Sequence, residues 1–442
     1  MILEEKELKA LLEKIISENP GQSLSLGISS SETGSTRFAD NAISTNGVTN
    51  GLNLSVEVLK GKKKGIVILN ELSPEKIRDG VARADAIADV VPENIETMPM
   101  LGPQTYPPTP PLYYRQTAEY SPKGRVDAIA AVIDRAKKDG LTAAGFFETS
   151  SGTYAGLNSL GQYYFVPYSR AGFNTTFRSE GGSGWAAADE ENVEKLAVEV
   201  LAERALRTSL DSRGAKPLAP GKYTVILEPA AVADLVAFMM YNFSAREADE
   251  GRSFLSKEGG KNRLGDKLLT SKITIWSDPA FAALPAAPLG DDGLPQQKTV
   301  WIEKGFVKNL ITTRYWAEKT GRKPVSFPPN ILMEGGQGSV EDLVGSTEKG
   351  VLVRRLWYIR DLNPMILLLT GLTRDGVFRI EKGRISHPVN NFRFNESPVN
   401  VLRNIAAMSK AGRAVGGETG QSCFVPALKV KEFNFSSVSD AV

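Results

Sequence analysis

The residue types that most often carry out hydrolytic chemistry are scarce in this chain. Its 442 residues include one histidine, His387, and one cysteine, Cys423. A protein zinc site usually takes several His or Cys ligands, and a hydrolase without a metal commonly needs a nucleophile beside a base. The chain therefore cannot assemble an ordinary zinc site by itself unless carboxylates replace most of the ligands.

The sequence contexts of these two residues favour structural roles. His387 stands between Ser386 and Pro388, at a predicted strand edge just after a hairpin turn, which favours a surface or half-buried structural residue over a catalytic one. Cys423 lies in the apolar, strand-like run GQSCFVPAL, where a lone cysteine usually behaves as a small buried hydrophobe. A reactive thiol would need a nearby base or helix N-terminus, and neither is visible in the sequence.

Two adjacent carboxylates, Asp291 and Asp292 in PLGDDGLP, form an alternative candidate site. Carboxylates beside a glycine are common in cation sites. Asp and Gly are also typical of turns, and the turn is the favoured interpretation. The glycine-rich segment GGETGQS at 416–422 lacks the lysine of a phosphate-binding loop. The sequence thus predicts no nucleotide and no other cofactor.

Charge and hydropathy argue against two classes of protein. The chain carries 53 Lys and Arg against 51 Asp and Glu, a net charge of +2, without the basic stripe of a nucleic-acid-binding surface. The nearest approach to a membrane span, MILLLTGL at 365–372, is too short. The N-terminal segment lacks the pattern of a signal peptide, and a single cysteine forms no intramolecular disulfide. We expect a cytoplasmic protein that binds neither nucleic acid nor membrane.

The elements that must position these residues divide into two halves. The first combines strand-like runs with amphipathic helices, two of which open with Ser-Pro, and contains a proline-rich segment at 92–112. The second has one apolar helix and then mostly strand-like runs, including two segments that share the hairpin pattern strand, IEKG, strand. The sequence predicts an α+β fold of two domains. Residues 1–215 form an N-terminal α+β domain with helices packed on an antiparallel sheet, and residues 216–442 form a β-rich, barrel- or sandwich-like domain.

The order of these pieces resembles the TldD/PmbA family, which includes the so-called modulators of DNA gyrase. The resemblance runs along nearly the whole chain, and the number and order of the matching segments carry it. The segments are RFADNAI (37–43), GLNLSVEVLKGKKKGIV (51–67), LAPGKYTVILEP (218–229), RSFLSKEGGKNRLGDKL (252–268), DDGLPQQKTVWIEKGFVKNLITTRYWAEKTG (291–321), PPNILMEGGQGSVEDLV (328–344), DGVFRIEKGRISHPV (375–389) and GETGQSCFVPALKV (417–430).

The resemblance implies a metallopeptidase system and also a defect in its metal site. TldD-type members carry a zinc-binding HExxxH motif on a helix and a cysteine near the C-terminus, so that two His and a thiolate hold the zinc. In this chain the place of the cysteine falls on Gly416, and the ligand role is not carried over to Cys423. The place of the helix motif is occupied by residues without His or Glu, namely Leu235, Val236, Ala237, Phe238, Met239, Met240, Tyr241 and Asn242.

The chain is therefore most similar to the PmbA type, also called TldE. The resemblance implies a metal-free, non-catalytic subunit that pairs with a TldD-type subunit and acts on peptide or unfolded protein substrates. The composition of LVAFMMYNF independently predicts a buried packing helix rather than one lining a metal site. Three alternatives stay open: a homodimer, a stand-alone hydrolase that uses Asp291 and Asp292, and a gyrase-associated regulator. Near-neutral charge gives the regulator little attraction to DNA phosphates.

Overall fold

The computed structural model describes residues 4–439, and its first half is organised around a six-stranded antiparallel sheet. The strand order is β3-β2-β1-β4-β5-β6. Side chains along much of this sheet alternate between buried and partly exposed, which is the pattern of a sheet with one covered face. The strands are β1 (Leu24–Ala39), β2 (Ala42–Lys60), β3 (Lys63–Leu69), β4 (Thr142–Asn158), β5 (Tyr163–Ser179) and β6 (Gly182–Glu190).

The helices of this half pack their apolar stripes against the sheet in two cores. Helices α1 and α2 share one core with β1, β2 and β3, while α4 and α5 share the other with β4, β5 and β6. Ser-Pro opens both α2 and α4, as predicted, and Ser121 caps α4 by accepting a hydrogen bond from the Gly124 backbone N–H. The helices are α1 (Glu5–Glu18), α2 (Pro74–Val90), α3 (Arg115–Ala118), α4 (Pro122–Lys138) and α5 (Val198–Asp211).

The proline-rich segment at 92–112 contains no helix or strand, as the sequence predicts. It is nevertheless tied to both halves of the chain. Its Leu101 carbonyl accepts a hydrogen bond from Asn158 at the end of β4 (2.8 Å). Its Tyr106 hydroxyl donates to the carbonyl of Gly293 in the second half (2.8 Å). The segment is thus an ordered extended connection.

The second half is organised around an 11-stranded sheet that closes on itself. Strand β7 pairs in parallel with β14 and antiparallel with β19, and the path β7-β14-β15-β17-β19 returns to β7 as a barrel-like ring. The strands of this sheet are β7 (Gly221–Leu227), β10 (Ile275–Ser277), β11 (Thr299–Glu303), β12 (Phe306–Val307), β13 (Ile331–Met333), β14 (Lys349–Asn363), β15 (Leu368–Glu381), β16 (Arg384–Pro388), β17 (Asn391–Glu396), β18 (Ile405–Val415) and β19 (Ser422–Ser439); the short β8 (Ser256–Lys257) and β9 (Lys261–Asn262) pair separately.

Both IEKG segments form the predicted hairpins. The β11–β12 and β15–β16 pairs are each joined by a two-residue Lys-Gly loop. Both loop residues have positive φ in each case, 47° and 85° at Lys304 and Gly305, and 51° and 72° at Lys382 and Gly383. This is the left-handed geometry of the tight turns that match strand twist, and glycine adopts it without steric cost.

The helices of the second half are mostly short, and α6 is the longest of those described. Helix α6 packs against β14, β18 and β19, and most of its residues belong to the largest hydrophobic core. The helices are α6 (Pro229–Tyr241), α7 (Ala245–Asp249), α8 (Arg314–Thr320), α9 (Val340–Gly345) and α10 (Pro398–Arg403).

The architecture confirms the predicted α+β class, with a helix-covered sheet in the first half and a larger, barrel-like sheet in the second. The assignment of residues 1–215 and 216–442 to separate domains stays a prediction. Across residues 4–439, no helix combines the length and the apolar character needed to cross a lipid bilayer.

Candidate functional site

Helix α6 occupies the place at which the family resemblance puts the metal-binding motif. Pro229 stands in its first turn, where proline fits because that N–H has no partner within the helix. Its apolar residues surround the axis, so the helix is buried on almost every side instead of presenting one polar face. The fully or nearly fully buried residues are Ala231, Val232, Ala233, Asp234, Leu235, Val236, Ala237, Met239 and Met240.

Asp234 is the one charged residue in this helix, and it is fully buried. Its carboxylate accepts hydrogen bonds from the backbone N–H groups of Glu418 (3.1 Å) and Thr419 (3.0 Å) and from the Thr419 hydroxyl (2.9 Å). Burial raises the pKa of Asp234 to about 6, although the hydrogen bonds from Thr419 and Glu418 act in the opposite direction. We call Asp234 together with loop 416–420 the Asp234 site.

Gly416, at which the family resemblance places the cysteine, lies directly against this carboxylate. A Cβ atom at Gly416 would lie 2.3 Å from Asp234 Oδ1 and 2.4 Å from Thr419 Oγ1. Neither distance is compatible with van der Waals contact, so the position has no room for a side chain as the loop stands. The carboxylate of Asp234 fills the space into which a side chain at Gly416 would project.

Cys423 lies on β19 and is fully buried, as its apolar context predicts. Its nearest polar contact is the carbonyl of Ala233, 3.9 Å from Sγ. Burial raises the pKa of the Cys423 thiol far above its usual range. A thiol that stays protonated is neither a nucleophile nor a good metal ligand, so this residue acts as a small apolar side chain.

His387 is half-buried on β16, where it pairs with Arg379 of β15. Its Nδ1 lies 3.0 Å from the Ser386 hydroxyl, and that hydroxyl also donates to Glu381. None of these contacts joins His387 to α6 or to loop 416–420. The structure therefore does not bring the chain's histidine and cysteine into one site.

Asp291 and Asp292 lie in a short 3-10 turn, Asp291–Gly293, in which Asp292 adopts a positive φ of 57°. Arg314 lies 3.7 Å from the Asp292 carboxylate. The Gly293 carbonyl accepts hydrogen bonds from Tyr106 and Gln162, so the turn contacts the first half of the chain. Among the residues described, no group of three or more His, Cys, Asp or Glu side chains is arranged to hold a metal ion.

The zinc that TldD-type members of the family bind does not fit the donors present at α6. Residues 235–242 offer no imidazole or carboxylate, and the Asp234 oxygens are already engaged by the N–H and hydroxyl groups of loop 416–420. The thiol of Cys423 is fully buried, and its nearest polar contact is the backbone carbonyl of Ala233. Because zinc binding needs several deprotonated ligands that converge on one point, this region cannot provide a zinc site as it is folded.

A cleft with a volume of about 530 Å³ opens on the other side of loop 416–420. One wall comes from β4, β5 and β6 of the first sheet, and the other comes from β14 and the loop. Aromatic and charged side chains predominate in the lining. They include Phe146, Glu148, Arg170, Phe173, Trp185, Asp189, Arg355, Trp357 and Glu418.

Arg413 on β18 ties the two walls of the cleft together. Its two Nη groups donate to the two carboxylate oxygens of Glu191 (2.8 and 2.9 Å), and its Nε donates to Asp189 (3.2 Å). Burial alone would raise the pKa of Asp189, but Arg413 and Arg170 outweigh it and hold this pKa below its usual value. Through Asp189 on β6 and Glu191 just after it, Arg413 links the end of the first sheet to the second sheet.

Sequence reasoning missed Asp234, Arg355 and Arg413. Two of them could have been recognised from the sequence as charged residues in apolar segments. Asp234 lies in the run AAVADLVAFMM, and Arg355 lies in the strand VLVRRLWYI. A charge in such a run is buried with a partner more often than not, but the sequence does not name that partner.

Comparisons with known proteins show the family to which the chain is related. Residues 25–88 match the PmbA/TldA metallopeptidase domain 1, and residues 220–437 match the PmbA/TldA metallopeptidase C-terminal domain. A metalloprotease of Methanothermobacter thermautotrophicus is 24% identical over 272 residues, 57% of each protein, and one of Methanocaldococcus jannaschii is 28% identical over 188 residues, 39% of each. The chain thus matches little more than half the length of the first of these relatives and less of the second.

Solved structures extend the likeness in fold to the whole chain. TldE from Thermococcus kodakarensis superposes with a TM-score of 0.84 at 21% identity, covering 98% of this chain and 99% of its own. A Thermotoga maritima protein, whose name links it to DNA gyrase as a modulator, gives a TM-score of 0.84 at 18% identity, covering 97% of this chain and 99% of its own. With two domain models of one family matched in order and the fold shared from end to end, the chain belongs to the PmbA/TldD family of metallopeptidase-related proteins.

Proposed function

We propose that this chain is the metal-free, non-catalytic subunit of a TldD/PmbA-type peptidase. The observation that carries the proposal is the Asp234 site, in which a buried carboxylate fills the space beside Gly416 and the adjoining turns of α6 are apolar. A zinc-activated water needs an open coordination position among protein ligands, and α6 supplies neither the ligands nor the opening.

In this role the chain acts together with a TldD-type subunit that brings the zinc, in a cytoplasmic heterodimer. The names of the relatives support a proteolytic context, since two of them are called metalloproteases. The cleft beside loop 416–420 supports a share in substrate binding, because its aromatic walls and charged groups suit a peptide. If no TldD-type partner exists, we propose that two copies of this chain form a homodimer instead.

Metal content and peptide hydrolysis test this role directly. The purified chain is analysed for bound metal by mass spectrometry, and its hydrolysis of unfolded peptides is measured before and after zinc addition. We expect no stoichiometric metal and no hydrolysis in either condition. Hydrolysis should appear when the chain is mixed with a zinc-loaded TldD-type protein, and it should exceed that of the TldD-type protein alone.

The matched control replaces the histidines of the partner's HExxxH motif with alanine. This change should abolish hydrolysis by the mixture while leaving complex formation, followed by size-exclusion chromatography, unchanged. One tightly held zinc with activity in the isolated chain would falsify the proposal, because it would mean that a metal site forms from ligands that α6 does not contain.

A further inference from the structure

A narrow pocket of about 100 Å³ opens beside the cleft and shares with it the side chains of Trp185 and Arg355. Four arginines from three elements line it, and one carboxylate, Asp375, lies among them. We call it the arginine pocket. Its arginines are Arg204 on α5, Arg354 and Arg355 on β14, and Arg413 on β18.

Arg355 is the central residue of this pocket and is only 6% exposed. Its guanidinium lies over two indole rings, with Cζ 4.4 Å from the centroid of Trp185 and 5.0 Å from that of Trp357. Such stacking fixes the plane of the guanidinium and leaves its edge to bind a ligand. The nearest carboxylate, Asp375, approaches Nε to 3.2 Å, but the N–H is not aligned to donate to it.

The hydrogen-bonding capacity of Arg354 and Arg355 is only partly used within residues 4–439. The Nε groups of Arg354 and Arg355 are buried without a hydrogen-bond acceptor among the described residues. Buried donors are nearly always satisfied in folded proteins, and each one left unsatisfied is unfavourable. Two neighbouring arginines in this state indicate that the acceptor is a ligand.

The charge of the pocket indicates that this ligand is an anion. Arg204 and Arg354 share the carboxylate of Glu228, and Arg355 and Arg374 share the carboxylate of Asp375. Only Arg413 has a full set of acidic partners, at Asp189 and Glu191. A planar guanidinium binds a carboxylate through two parallel hydrogen bonds, and a volume of about 100 Å³ holds such a group with a few carbons but no nucleotide.

We propose that the arginine pocket binds a carboxylate of a peptide, with Arg355 as its main ligand and the flanking residues of the peptide in the cleft. The inference rests on the proposed function, because it names the part of a peptide substrate that this subunit would hold. The carboxylate comes either from the C-terminus of the peptide or from an acidic side chain near it.

Three acetylated peptides separate these sources. The first ends in a free C-terminal carboxylate and has no acidic side chain, the second is its C-terminal amide, and the third is an amide with Glu as its last residue. Each is titrated into the full-length chain, with tryptophan fluorescence as the readout because Trp185 and Trp357 flank Arg355. We expect a carboxylate-bearing peptide to bind at least about tenfold more tightly than the plain amide.

Arg355→Gln should reduce the ratio of the two affinities, carboxylate-bearing peptide over plain amide, to within about twofold. The variant lacks the guanidinium whose paired N–H groups recognise the carboxylate. Arg207→Gln is the matched control, since Arg207 is an exposed arginine of α5 that pairs with Glu203 and does not line the pocket, and it should keep the wild-type preference. Thermal unfolding checks that each variant is folded. If Arg355→Gln does not fold, the wild-type comparison of acid with amide and the variant Arg354→Gln still decide the question.

Equal affinity for acid and amide would overturn the inference. Binding of inorganic phosphate with no preference between the peptides would also overturn it, because the pocket would then be a site for free oxyanions. Neither result touches the proposed function, which is judged separately from the hydrolysis gained on mixing with a TldD-type protein. If mixing with a TldD-type protein produces no extra hydrolysis but the chain still binds the carboxylate-bearing peptide more tightly than the amide, the subunit role is rejected and the peptide-binding site is retained.

Discussion

Loop 416–420 separates two regions that differ in whether their buried polar groups have hydrogen-bond partners. On one side, Asp234 is fully buried and its carboxylate is satisfied by the loop. On the other side, Arg354 and Arg355 retain buried donors without acceptors next to an open cleft. Complete internal satisfaction is characteristic of a closed structural site, whereas unused donors beside a cavity indicate a ligand. The comparison thus identifies which side of the loop is available for binding.

The largest effect should come from a charge placed on the closed side. Met239→Glu would bury an unpaired carboxylate at a position with no solvent exposure, and we expect a loss of at least about 5 kcal/mol in the free energy of unfolding, or no folding at all. Denaturant unfolding measures the loss. Tyr241→Glu, at a 43% exposed position of the same helix, should lose no more than about 1 kcal/mol. Similar losses at both positions would mean that α6 is not closed.

The second effect tests the link between the walls of the cleft. Arg413→Met removes the bidentate partner of Glu191 and one of the two arginines on buried Asp189, and we expect a loss of about 3–5 kcal/mol. Arg170→Met is the control, because Arg170 contacts the same Asp189 from a 55% exposed position and should cost about 1 kcal/mol or less. A loss at Arg413 no larger than that at Arg170 would show that the walls are held by packing alone.

The third prediction concerns the pH dependence of the Asp234 site. The folded pKa of about 6 lies above the unfolded value of about 3.9, so the folded state retains a proton that the unfolded state has released at intermediate pH. The stability from this proton is fully present below about pH 4 and is lost as the pH rises through about 6, for a total of about 3 kcal/mol. Asp234→Asn, which does not titrate, should gain this amount relative to wild type between about pH 4 and pH 7.

Urea unfolding at several pH values in this range measures the difference. Asp291→Asn, in an exposed turn, serves as the matched control and should run parallel to wild type. If the curve of Asp234→Asn also runs parallel to wild type, the carboxylate does not titrate in this range and its hydrogen bonds outweigh its burial.

The smallest effect tests the close contact between Gly416 and Asp234. Gly416→Ala would bring a Cβ to 2.3 Å from Asp234 Oδ1, so the loop must move, and we expect a loss of about 1–3 kcal/mol in thermal or denaturant unfolding. In an Asp234→Ala background the same change should cost less, since one of the two obstructing groups is gone. Gly412→Ala, where a Cβ would meet nothing within 4 Å, should change stability by less than about 0.5 kcal/mol.

Several features of this protein follow from local sequence alone. The burial of α6 follows from its composition, because a helix that is apolar on all sides has no face to present to water. The IEKG hairpins follow from the turn chemistry of Lys-Gly, the burial of Cys423 from its apolar neighbours, and the helix starts at Ser73 and Ser121 from Ser-Pro pairs. In each case the physical cause lies within a few residues of the feature.

The candidate sites depend on the tertiary structure because their parts are far apart in the chain. Asp234 meets loop 416–420 across more than 180 residues, and the arginine pocket combines α5, β14 and β18. A sequence shows that a buried charge needs a partner, but pairing is a matter of distance and direction, which only the packed sheets determine. The sequence by itself thus determined the absence of an ordinary zinc ligand set. Only the fold decided that a carboxylate fills the space beside Gly416 and that Arg355 lies unsatisfied next to an open cleft.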